Sequence, residues 1–154
     1  MDVSTPTAAR ILRISRLHAH RMLLGLGCVP RTLSDGRRRW GVRHLLAVLT
    51  TSALIGRGVR GTEAEAVGRA IASIASDEMC EAAIADGRSW VMLVGHQAMP
   101  ELLFRANVEK SAKAHAEQLS AAGLQITAID IAPLYVDLRA AVTAATEGVR
   151  DASE

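Results

Sequence analysis

Residues 15–42 read SRLHAHRMLLGLGCVPRTLSDGRRRWGV, and the fold of the first third of the chain turns on how this stretch divides. Ser15 offers a helix N-cap, because its hydroxyl can accept a first-turn backbone N–H that no earlier carbonyl satisfies. Behind it Ala19, Met22 and Leu23 recur at the i, i+3, i+4 spacing that gathers apolar side chains on one face. Arg16, His18, His20 and Arg21 are left on the outside. Gly25 and Gly27 end the helix. Residues 28–33 then read as extended, Ser34, Asp35 and Gly36 as a turn, and residues 37–42 as extended again, which predicts a hairpin. Arg37, Arg38 and Arg39 stand at its tip, with Arg31 on the opposite strand.

Upstream, Ser4 or Thr5 can cap a short helix whose first turn holds Pro6 and whose buried side is Ala8, Ala9, Ile11 and Leu12. Two short helices joined by a tight turn, the second basic on its free face, predict a helix-turn-helix whose second helix can enter a major groove. The hairpin projects as a wing able to straddle a phosphate backbone. From Arg43 the run His44, Leu45, Leu46, Ala47, Val48, Leu49 returns to helical spacing and closes a small three-helix core.

Charge supports the same partner. Up to Arg60 eleven arginines face only Asp2 and Asp35, a net +9, whereas from Gly61 on seven basic residues face fourteen acidic ones, a net −7. The overall +2 hides a basic head on an acidic body, and such a head suits a polyanion. Gly56, Gly58 and Gly61 mark the boundary, so the expected domains are residues 1–58 and 61–150. Aromatics make up only 3% against 49% hydrophobic residues, so the core must come from Ala, Leu, Val and Ile. Cys28 and Cys80 have no partner nearby in sequence, which argues against a disulfide framework and suits a reducing cytoplasm. No basic n-region precedes an apolar run at the N-terminus, and residues 45–55 are too short to span a bilayer, so a cytoplasmic protein without membrane contact is expected.

The order of Ala8-Ala9-Arg10, the turn at Ile14-Ser15, the pair Arg21-Met22, and Pro30-Arg31-Thr32 leading into an arginine-rich turn resembles the winged helix-turn-helix of the MerR superfamily. The nearest branch is the small one shared by excisionases and BldC-like regulators. The resemblance implies that Ser15 opens the recognition helix, that Arg21 contacts phosphate, and that Arg37, Arg38 and Arg39 lie along the adjacent minor groove. It covers residues 4–56. Met22 stands where the family has tryptophan, His18 where threonine is common, and the wing turn is one residue longer, with Trp40 in place of the wing's aromatic.

In the body, Thr62 to Glu65 reads as a capping box opening a helix through Val67, Ile71 and Ile74, and Ser76 opens another that ends near Gly87. Residues 89–94 form a short apolar strand, residues 102–104 a second strand or a helix start, and residues 124–131 the clearest strand. Helices over 108–122 and from Pro133 complete an α+β chain: a winged helix-turn-helix, then a small α/β unit with two or three strands. His96, Glu101, His115, Asp130 and Asp137 are available for catalysis, but no nucleophile elbow, P-loop, dinucleotide fingerprint or zinc motif accompanies them. His18 and His20, two apart, do not share a helix face as metal ligands would. No catalytic, cofactor or metal site is therefore expected, and an enzyme in the body is the least favoured reading. The body is expected to join two copies into a homodimer, with the apolar strands 90–94 and 126–131 shared across a two-fold axis.

The expected function is sequence-specific binding of double-stranded DNA by a bacterial or phage transcriptional regulator. The alternative is an excisionase-like or plasmid-partition architectural factor. Ser15, Arg16, His18, His20, Arg21, Arg31, Arg37, Arg38 and Arg39 form the expected interface, with Arg16, His18 and Leu17 near the helix start, where base edges come within reach.

Overall fold

The computed structural model describes residues 2–94, 97–98, 102–123 and 126–150, an α+β chain. Strand β1 (Asp2–Ser4) leads directly into helix α1 (Thr5–Leu12). Ser4 caps α1 by accepting the Thr7 N–H at 3.3 Å, and Pro6 occupies the first turn, where its missing N–H leaves nothing unsatisfied. The helix ends at Arg13, which takes a left-handed φ of 54° and so reverses the chain within residues 13–15. Ser15 then caps α2 (Arg16–Gly25) through the His18 N–H at 3.2 Å. Ala19 and Leu23 are fully buried against the core, as the apolar spacing requires.

Strands β2 (Arg31–Thr32) and β3 (Arg38–Gly41) form the expected hairpin, and β1 adds a third strand beside β3 that the sequence did not announce. All pairings are antiparallel, with Val3 opposite Trp40 and Arg31 opposite Arg39. The tip closes where the Gly36 N–H meets the Leu33 carbonyl at 2.9 Å, and Gly36 holds a φ of 77° there. Trp40 is wholly buried and donates its indole N–H to Thr5 Oγ1 at 2.9 Å, which ties the hairpin to the start of α1.

Helix α3 (Val42–Gly56) follows without a break and packs along α4 (Gly61–Ala72). Their close approach rests on Gly68, where any Cβ would strike Thr51 and Leu26, while Thr51 Oγ1 bonds back to the Ala47 carbonyl at 2.8 Å. The expected capping box at Thr62 does not form. Helix α4 starts one residue earlier, at Gly61, and puts Thr62 inside its first turn. Helix α5 (Asp77–Ala85) is capped by Ser76 as expected.

In the body, β4 (Arg88–Val94) is central: β7 (Ile126–Asp130) pairs with one edge, and β5 (Gln97–Ala98) and β6 (Leu103–Phe104) with the other, all antiparallel. With both edges occupied, β4 has no edge free to share with a second copy, which corrects the expectation for strand 90–94. Helix α6 (Arg105–Ala121) follows β6 at once, so of the two readings of residues 102–104 the strand holds, and the helix starts just after it. Helix α7 (Ala132–Arg150) closes the chain. One hydrophobic core runs from Val3 through Leu46 and Ile71 to Val142. Both cysteines are free, and burial pushes their thiols up to about 11, so they stay protonated. No helix among the described residues is long and apolar enough to cross a membrane.

Candidate nucleic-acid interface

Successive residues of a strand face opposite sides, so the arginine run of the hairpin cannot present all its charges together. Arg38 shares a face with Trp40 and lines a groove with Arg16 of α2, whereas Arg39 shares the other face with its register partner Arg31. Two grooves result, one at the front of the hairpin and one at the rear.

The front groove, about 800 Å³, lies between the first turns of α1 and α2 and the hairpin tip. Arg16, Leu17 and His20 border it from α2, Arg37 and Arg38 from the hairpin, and Ser4, Thr5 and Pro6 from the start of α1 and its cap. No carboxylate lines it among the described residues. Asp35 is the nearest restraint, at 3.2 Å from the Arg37 guanidinium, but Arg37 is still 76% exposed. Neither α1 nor α2 has an acidic residue in its first turn, so the partial positive charge of both helix starts is uncompensated. The groove is open, basic at its rims and floored by apolar carbon.

The rear groove is smaller, about 290 Å³, and mixed in charge, with Arg31, Arg39 and Arg43 set among Asp2, Asp77 and Glu78. Asp77 is central to it. Its carboxylate accepts the Val42 N–H at 2.8 Å, the Arg43 N–H at 3.1 Å and Arg43 Nη1 at 3.2 Å. An acidic residue of the body thus caps the first turn of α3, where orphan N–H groups and the helix dipole both favour a negative charge. Gly41 is required beside it, because a Cβ there would lie 2.6 Å from Asp77 Oδ2. His44 Nδ1 accepts the Gly41 N–H at 3.2 Å, and its ring meets the edge of Trp40. Burial, reinforced by the Arg43 charge, lowers the His44 pKa to about 4 against the opposing pull of Asp77 and Asp2, so the imidazole is neutral.

The structure therefore brings Arg16, His20, Arg37 and Arg38 together around one groove and leaves the other expected residues apart from it. Ser15 is spent on capping α2, and His18 and Arg21 are exposed elsewhere on that helix. Arg31, 75% exposed, lies 3.8 Å from Asp2, and Arg39 is half-buried at the rear. His20 is not free on the outside as expected. Its ring meets Trp40 edge-on at 6.1 Å and is half-buried, because position 20 follows the buried Ala19 and sits at the margin of the core face. Sequence reasoning missed the contributions of Ser4, Thr5 and Pro6, and the whole role of Asp77, which lies 35 residues from Val42 and carries no local signal of it.

The candidate catalytic groups of the body are dispersed. Asp130 accepts the Ser89 hydroxyl at 2.7 Å and the Ala132 N–H at 3.0 Å, which caps α7. His115 is exposed on α6, 2.9 Å from the Ser111 carbonyl, and Asp137 is exposed on α7. His96 and Glu101 lie outside the described residues. A third groove, about 620 Å³, runs between α5 and α7 and is mostly apolar, bordered by Ile84, Val136 and Ala140 and spanned by an ion pair of Glu81 with Arg139. No protein-family model matches this chain, and no curated protein matches it.

Proposed function

We propose that this chain binds double-stranded DNA with sequence preference, as a transcriptional regulator does, through the front groove and the exposed side of α2. The observation that carries the reading is the meeting of Arg16, Arg37 and Arg38 around one carboxylate-free groove at two helix starts. Phosphate suits such a place twice over, since guanidinium groups and uncompensated helix N-termini both favour anions. In this arrangement α2 lies in the major groove, the hairpin tip rests over the neighbouring minor groove, and the intervening strand passes through the cleft between them. Arg37 and Arg38 hold the backbone and set register, and Arg16 reaches base edges. The basic head of the sequence and the resemblance of residues 4–56 to the MerR superfamily point the same way.

The body is proposed to join two copies, because one small module buries little DNA surface and gains affinity from a second half-site. The apolar groove between α5 and α7, with Val136 63% exposed beside it, supports that assignment.

The test is a titration of the full chain with randomised duplex DNA between 50 and 200 mM salt. Three to five phosphate contacts give a slope of log affinity against log salt of about −3 to −5. In sequence selection, Arg16→Ala changes the preferred site while retaining duplex binding. A flat salt dependence, or no binding at the lowest salt, would overturn the proposal.

A further inference from the structure

Leu17 is 59% exposed on α2, whereas Ala19 and Leu23 of the same helix are wholly buried. At about 100° per residue, positions 17 and 19 of a helix lie on nearly opposite faces, so Leu17 has no route into the core. It lines the front groove together with Arg16 and Arg38. A leucine there gives nothing to phosphate and interrupts a surface otherwise suited to water and anions. Its side chain fits a ligand that offers a small apolar group within a charged polymer.

DNA offers one such group in the major groove. Thymine alone among the four bases presents a methyl there, on C5, at the margin of the base pair nearest its own backbone. Resting on the DNA reading above, we infer that Leu17 selects thymine, its branched end packing against the C5 methyl of the base beside the pair that Arg16 reaches. Arg16 and Leu17 together read a guanine and an adjoining thymine, one by hydrogen bonds and the other by apolar contact. The contact removes a methyl group from water, equivalent to about a fourfold gain in affinity.

The experiment enriches a randomised duplex on the full chain, then replaces each thymine of the enriched site singly by uracil, which keeps the base pair and deletes only the methyl. One replacement weakens binding by the wild-type chain about fourfold. Leu17→Ala, whose fold is checked by circular dichroism, binds the thymine and uracil duplexes equally. Ile55→Ala, at an isoleucine 48% exposed on α3 and outside the groove, keeps the fourfold difference. Enrichment of a site at which no uracil replacement matters, or a uracil effect that persists in Leu17→Ala, overturns the assignment of Leu17 and leaves DNA binding standing. Failure to enrich any duplex overturns the DNA reading itself.

Discussion

Arg38 and Arg39 follow one another on β3, yet Arg38 borders the open front groove with Arg16 while Arg39 is half-buried in a rear groove that also holds Asp2, Asp77 and Glu78. Side-chain alternation along the strand is the whole cause. On a strand a run of like charges is divided between two environments. The net +9 of the head therefore overstates what any one ligand meets. At the front the charges are exposed, and Asp35 pairs with Arg37. At the rear they are answered by carboxylates, and the strongest of these, Asp77, holds the start of α3.

If the rear is structural, its removal should cost stability more than any change at the front. Asp77→Ala deletes three charge-assisted hydrogen bonds and leaves Arg43, only 20% exposed at its side chain, without its counter-ion. The expected loss is about 3 kcal/mol, read by urea unfolding. A loss below about 0.5 kcal/mol, the ordinary range for a surface substitution, would break the division into a structural rear and a functional front.

The next effect comes from His44, on the same side. Its folded pKa of about 4 lies below the value near 6.5 expected for the unfolded chain, so the unfolded state binds the extra proton first as pH falls. Stability is complete above pH 6.5 and declines toward pH 4, by about 2 kcal/mol between pH 7 and pH 5. His44→Gln keeps an acceptor for the Gly41 N–H but has nothing to titrate. Thermal unfolding of this variant should lose most of that pH dependence, and equal slopes in the two proteins would show that the imidazole is not the titrating group.

These devices differ in how far the sequence announced them. The caps at Ser4, Ser15 and Ser76 and the hairpin around Gly36 were all legible, because each depends on residues within one turn or on a local apolar pattern. Strand β1 was not, since its three residues are too few to show alternation. Nor was Asp77, which reads locally as an ordinary acid in the first turn of α5 and acquires its second role only from tertiary packing. The missing capping box at Thr62 makes the converse point: a correct motif failed because Arg60 and Gly61 had already begun the helix. At the candidate site the residue types were legible and their grouping was not. Whether an arginine on β3 meets α2 or α5 depends on strand register, and the length of the turn between residues 33 and 37 sets that register.

The smallest effect tests the division most directly, because it compares two adjacent residues of the same type. Arg38→Ala should weaken binding to every duplex about fivefold and lower the salt slope by about 0.9, the signature of one lost phosphate contact. Arg39→Ala should leave the salt slope unchanged, since Arg39 is half-buried and lines the rear groove with Asp2, Asp77 and Glu78. Equal losses of slope in the two variants would mean that the duplex reaches both faces of the hairpin. The hairpin would then be gripped at its tip, with Arg31 joining the contact from the opposite strand, and the rear carboxylates would oppose binding as well as supporting the fold. A second titration of Asp77→Ala separates these cases: relief of that opposition raises affinity for all sequences alike, whereas a purely structural Asp77 leaves affinity unchanged wherever the variant remains folded.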